Sequence, residues 1–310
     1  MKKILFPMLA LVVLAGCSKN EQNDEMPSGL VPILLGADVA ASTKAPIATG
    51  GTVDAGIAGW ETSTDVNYAS TPTWYDGQIS VEAHPTTPKT VEWTSQKYYN
   101  ANNGITTYLK AWYPRGTVNV SAANSPKVTF DNANGDVDPL LAPVVSGTKS
   151  DPTGKTLAFV HKTAQIKFVV KKGTGLAAGT KLTSITLKSV QLPTGFDLTK
   201  LYNADGAVTY ADAGEFSIKN IGDNLIIGTT PEGDAAGDPV MIKPLASNTF
   251  KVKVVTSNAT YIDKDVTIEK GENVLEGKAY TVTLTFNQIG IDLSATIAEW
   301  DDKTGTGTIE

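Results

Sequence analysis

Apolar and polar residues alternate with a period of two along much of this chain. In "FKVKV", Phe250, Val252 and Val254 alternate with Lys251 and Lys253; in "YTVTLTF", Tyr280, Val282, Leu284 and Phe286 alternate with three threonines. In "IGIDLSATI", Ile289, Ile291, Leu293, Ala295 and Ile297 share one side. Successive side chains of a strand point to opposite faces, so each stretch offers one face to a core and one to water. The same reading predicts strands over 78–83, 105–113, 157–171, 181–192, 215–219, 224–228, 239–245 and 261–269. No run of a dozen residues shows helical spacing. The expected class is all-β.

So many short strands, separated by turn-forming clusters such as "TPEGDAAGDP" (230–239), suit two sandwiches. Four of the five tryptophans, Trp60, Trp74, Trp93 and Trp112, fall before residue 115, and the second half relies on Ile, Leu, Val and Phe instead. The expected organisation is a leader over 1–16, an acidic linker over 17–28, an N-terminal sandwich over 29–204 and a C-terminal sandwich over 205–310. The boundary falls in "LYNADGAV" (201–208), with "SGTKSDPTGK" (146–155) as the competing break.

The leader has the form of an export signal. Lys2 and Lys3 precede an apolar run from Ile4 to Leu14 that is too short to span a bilayer. Leu14, Ala15, Gly16 and Cys17 resemble the bacterial lipobox, which makes Cys17, the one cysteine, the expected lipid attachment point. Ser18 is not the aspartate of an inner-membrane retention signal, so the outer membrane is the expected destination, with surface exposure suggested by the acidic run 21–25. Losing residues 1–16 removes Lys2 and Lys3 and moves the formal charge from −6 to −8. An acidic chain with Arg115 as its single arginine has no nucleic-acid footprint.

Catalytic chemistry is sparse. The only two histidines, His84 and His161, stand in no metal-ligand spacing, and His161 lies in the strand-like "LAFVHKTAQIKF", where a structural role anchored to backbone is expected. "DNANGDVD" (131–138) lacks the order of a calcium loop. No enzyme, cofactor or metal site is expected; a carboxylate-only glycosidase is the one hydrolase class left open. The aromatics of "WYDG" (74–77), "YY" (98–99) and "YLKAWYP" (108–114) have the composition of a sugar-stacking platform, although alternating aromatics in a sandwich more often fill the core.

Taken together, the lipobox, "YLKAWYPRG" (108–116), "DPLLA" (138–142), "FVHKTAQIKF" (159–168), "YTVTLTF" (280–286) and "IGIDLSATIAEW" (289–300) resemble the fimbrillin family, the type V pilins of the Bacteroidota. The resemblance implies two tandem transthyretin-like β-sandwiches and a subunit that polymerises once a protease removes its first strand. The apolar "GLVPILLGADV" (29–39), with Ile33, Leu34, Leu35 and Val39, is the expected displaced strand. The small-residue stretch after it carries one basic residue, which places the maturation cut between Lys44 and Ala45. Family members are usually cut after arginine, so the lysine argues against an arginine-only protease and fits a trypsin-like or lysine-tolerant enzyme. The expected donor is the C-terminal alternating strand with Ile289, Ile291, Leu293, Ala295 and Ile297, unless that strand completes its own sandwich. Expected partners are further copies and other pilus subunits, the outer membrane through Cys17 before maturation, and glycans or a host surface as adhesion targets. A glycan-binding surface lipoprotein of a polysaccharide uptake system is the alternative.

Overall fold

A computed structural model describes residues 29–39, 50–84, 87–121, 125–152, 154–222, 225–228, 233–268, 271–288 and 290–299. The expected class is observed: the described residues form strands and turns with no α-helix. Eleven strands precede residue 162: β1 (Gly36–Val39), β2 (Thr52–Thr62), β3 (Trp74–Glu82), β4 (Lys89–Thr90), β5 (Glu92–Trp93), β6 (Thr106–Tyr113), β7 (Thr117–Asn119), β8 (Lys127–Thr129), β9 (Leu140–Leu141), β10 (Val145–Gly147) and β11 (Thr156–His161). Eleven follow: β12 (Ala164–Lys172), β13 (Leu182–Val190), β14 (Pro193–Asp197), β15 (Val208–Tyr210), β16 (Gly214–Ser217), β17 (Asp234–Ala235), β18 (Val240–Ile242), β19 (Thr249–Thr256), β20 (Thr260–Thr267), β21 (Lys278–Asn287) and β22 (Gly290–Glu299).

The first sandwich is one sheet in the order β4-β1-β11-β9-β6-β2-β3-β5, with β10 added on β6. Only Val91 separates β4 from β5, so consecutive residues pair with both ends of that order and the sheet closes around its own core. Ile33, Leu35, Ile57, Ile79, Leu109 and Phe159 are among the side chains filling it. A small sheet, β15-β14-β8-β7, covers the outer side of β2 and β6 through a second core of Trp60, Trp112, Phe196 and Leu198. The other sandwich packs β17-β12-β21-β22, with β18 on β12, against β16-β13-β19-β20. Its core takes Ile166, Phe168 and Val170 from one sheet and Ile185, Leu187, Val252 and Val254 from the other.

Two expectations are corrected. The run 157–171 is not one strand: it breaks at Lys162 and Thr163, with β11 in the first sandwich and β12 in the second. The sandwiches therefore part near residue 162, closer to the competing break than to 205, and no single cut divides them. β12 and β13 precede residue 205 yet pair with β21 and β19, while β14 and β15 pack back on the first sandwich. His161 has the structural role expected of it, its Nδ1 lying 2.7 Å from Asp138 Oδ2 with both side chains buried. The same crossing is held where Tyr210 donates to the Lys162 carbonyl (3.0 Å), Gly277 N–H to the Thr163 carbonyl (2.9 Å) and Lys162 Nζ to Glu276 (2.8 Å).

The long strand β2 escapes the alternation because glycines stand where apolar side chains would mark it. Built on Gly56, a Cβ would lie 2.5 Å from the buried Trp112 ring, and on Gly59 2.4 Å from that of Trp74. The rings occupy the space those side chains would need.

Lys110 is buried in the second core, where its ammonium donates to the carbonyls of Leu198 (2.6 Å) and Lys200 (2.9 Å) and sits 3.6 Å from the Tyr68 ring centroid. Burial pushes its pKa down from 10.5 to about 8, against the opposing pull of Asp197. Between these two values the unfolded chain binds the extra proton, so this group makes folding more favourable as pH rises through that window. Urea titrations should show wild-type stability gaining on Lys110→Met from pH 8 to 10, by at most about 1.4 kcal/mol per pH unit. A pH-independent difference would contradict a charged, desolvated Lys110.

Candidate functional site

The segment ahead of β2 occupies a channel in the first sandwich. Its side chains alternate strictly: Ile33, Leu35, Ala37 and Val39 are buried, while Leu34 between them is 59% exposed. Of the residues expected in a displaced strand, Ile33, Leu35 and Val39 thus face the core and Leu34 faces out. Ala37, the small member of the buried set, is missed by a reading that looks for large side chains.

Both edges of the segment are hydrogen-bonded. Along one wall β1 runs parallel to β11, Gly36 through Val39 facing Thr156 through Phe159, and Gly36 N–H donates to the Lys155 carbonyl. Along the other, Gly36 and Ala37 pair with Thr90 and Lys89 of β4. That wall continues beyond β4: Val91 N–H donates to Leu35 O, Ile33 N–H to Lys97 O and Tyr99 N–H to Val31 O, each at 2.9 Å. Two side chains add to it, because Trp93 Nε1 (3.0 Å) and Gln96 Nε2 (3.1 Å) both donate to the Ile33 carbonyl. Residues 89–99 act as a strap across the segment. The segment therefore lies in a slot with two walls.

The second sandwich repeats the arrangement with one difference. Its first strand, β12, also lies between antiparallel neighbours (β17, β18) and a parallel one, β21. Unlike β1, it continues directly from β11 and cannot leave without carrying the first sandwich with it. The C-terminal strand β22 pairs antiparallel with β21 over ten positions, Lys278 facing Glu299 and Asn287 facing Gly290. It stands at the end of its sheet, with one parallel bridge from Ala295 to Ile268. Ala295 is buried, and Ile291, Leu293 and Ile297 pack partly buried on the same core. In this state the strand completes its own sandwich. Cys17, Lys44, Ala45 and Ile289 lie outside the described residues.

The aromatic residues form no platform. Trp60, Tyr99 and Trp112 are buried, and Trp74 meets Trp93 edge-on at 6.2 Å in the wall beside the slot. Within these aromatic runs, Tyr75 is the exposed ring. Among the described residues no three His, Cys, Asp or Glu side chains are grouped to hold a metal ion.

The described residues thus form two β-sandwiches, the first completed by an N-terminal strand held between β11 and residues 89–99. Residues 46–300 match the model of the family described as fimbrillin-like, and the chain belongs to that family. Residues 1–18 match the model of the prokaryotic membrane lipoprotein lipid attachment site. A Bacteroides uniformis protein described as a candidate fimbrium subunit, Fim1C, is 25% identical over 332 residues, covering 99% of this chain and 98% of that protein. Crystal structures of candidate cell adhesion proteins share the fold. One from Bacteroides uniformis is 18% identical, with a TM-score of 0.57 over 88% of this chain and 99% of its own. One from Bacteroides ovatus is also 18% identical, with a TM-score of 0.55 over 87% and 98%.

The alternation within the slot makes a sharp contrast between neighbours. Leu35→Ala in the full chain should cost about 2–5 kcal/mol in chemical denaturation, as core truncations do. Leu34→Ser should fall within about 0.5 kcal/mol of wild type. Equal costs would place the two side chains in similar surroundings and contradict the slot.

Proposed function

We propose that this fimbrial subunit is exported as a lipoprotein acylated at Cys17, is held at the outer membrane with its sandwiches outside the cell, and is cut between Lys44 and Ala45. The released first strand is replaced by the C-terminal strand of another subunit, and the resulting fimbriae serve surface adhesion. One observation carries the reading: residues 31–39 fill a two-walled slot in the first sandwich while lying upstream of the single basic residue, Lys44, in a small-residue stretch. The family match itself begins at residue 46.

Energetics make the emptied slot reactive. Burying Ile33, Leu35 and Val39 is worth about 1.5–3 kcal/mol each, so their loss together is of the order of a whole domain's stability. The backbone groups of β11 and the strap would lose their partners at the same time, and unpaired strand edges recruit another strand. Acylation fits the sequence of events, since two or more acyl chains give stable anchoring that a cut at Lys44 would end.

Lys44→Ala should block maturation, leaving surface protein that retains its lipid; mature material still beginning at Ala45 would refute the cut site. Deletion of residues 288–310 should leave export intact and abolish fibres seen by electron microscopy and as ladders on SDS gels. Normal fibres from that truncation would refute the donor assignment.

A further inference from the structure

The buried residues of the slot occupant and the inward residues of β22 form the same series. In one chain direction the slot holds Ile33, Leu35, Ala37 and Val39, and β22 turns Ile291, Leu293, Ala295 and Ile297 inward. Position by position, isoleucine meets isoleucine, leucine meets leucine, alanine meets alanine, and valine meets isoleucine. The correspondence runs on upstream, where Val31 matches Ile289. We propose that β22 of a second copy enters the vacated slot parallel to β11 in a single register, with Ile291, Leu293, Ala295 and Ile297 at the places of Ile33, Leu35, Ala37 and Val39. This rests on the strand-exchange reading above and adds to it the polarity and the residue that selects the register.

Ala37 is the selector. Its site is fully buried, and a larger side chain there would overpack the core. Sliding β22 by two residues brings Leu293 or Ile297 onto that site, depending on the direction. Reversing the strand end for end brings Leu293 there; the reversed register that keeps Ala295 on Ala37 instead brings Glu299 into the buried Ile33 site. A slip of one residue turns the polar face inward. The alignment proposed is the one that meets every buried site with an apolar side chain of similar size.

The outward positions agree. Asp292 replaces the exposed Leu34. Ser294 replaces Gly36, where a Cβ would stand at ordinary contact distance, 3.4 Å, from Pro88 Cβ and Thr156 Oγ1. Thr296 replaces Asp38, whose carboxyl is partly desolvated where it stands and is held above its usual pKa by that burial. The Ile291 carbonyl would take the place of the Ile33 carbonyl, the acceptor for Trp93 and Gln96. The second copy is the occupant because a slot in the first sandwich and a donor in the second form a heterologous contact, which propagates as a fibre.

A cysteine scan reads the register directly. Full chains carrying Thr156→Cys together with Asp292→Cys, Ser294→Cys or Thr296→Cys are matured by a lysine-cutting protease, allowed to assemble under reduction and then oxidised. All three tail positions are exposed in β22, so the subunit's own fold is undisturbed. The Ser294 pair should give a covalent ladder on non-reducing gels, at least about tenfold stronger than either neighbour, because disulfides demand close Cβ approach. Thr90→Cys, facing position 36 from the other wall, repeats the test independently. Fibres whose ladder comes from the Asp292 or Thr296 pair would refute the register while leaving strand exchange standing. Fibres without a ladder from any pair on either wall would refute docking in this slot. Absence of fibres from the matured wild-type chain would overturn the strand-exchange reading itself.

Discussion

The first sandwich depends on a strand whose two walls come from stretches far apart in the chain. Residues 31–39 sit between β11, more than a hundred residues downstream, and the strap at 89–99. Backbone donors and acceptors on both sides are satisfied only while the slot is filled, and the core around Ile57, Ile79 and Phe159 is complete only while Ile33, Leu35, Ala37 and Val39 are present. The hydrogen bonds of the slot are made largely by backbone, so they accept any extended strand. The side-chain sites are not so permissive. Backbone pairing and side-chain fit are thus supplied by different parts of the same channel.

The asymmetry between the two sandwiches gives the subunit a direction. Each closes with a parallel pairing between its first strand and a late one, β1 with β11 and β12 with β21. In the second sandwich the first strand is continuous with the preceding domain through 161–163, a crossing held by Asp138, Tyr210 and Glu276. In the first, it is reached through residues 40–51. The first strand of the first sandwich is thus joined to the rest of its domain by a single connection, while the edge strand β22 lies in the other sandwich. Lys110, tied to the Leu198 and Lys200 carbonyls, fixes the small covering sheet to the outer side of β6, so the face behind the slot's sheet is also closed.

Much of this was legible in the alternating pattern. β19, β21 and β22 were visible because apolar residues mark every second position on a half-buried surface. β2 was not, since Gly56 and Gly59 vacate their sites for the rings of Trp112 and Trp74, and those rings arrive from other strands. The break between β11 and β12 was hidden for a related reason: His161, Lys162 and Thr163 interrupt the alternation only slightly, and the turn from one core to the next is set by Asp138 and Glu276.

The chain's own order of residues determined the all-β class, the lipoprotein leader, the apolar first segment with a lysine behind it, and the inward face of the last strand. Only the tertiary structure decided that the first segment is walled on both sides, that Ala37 belongs to its buried set, and that Trp93 and Gln96 share the Ile33 carbonyl. Alternation reports which side of a strand is dry; it carries no record of which strand lies alongside, because ladder hydrogen bonds join backbones that are alike at every residue. Neighbours are chosen by how whole faces pack, and that choice exists only once the chain has folded.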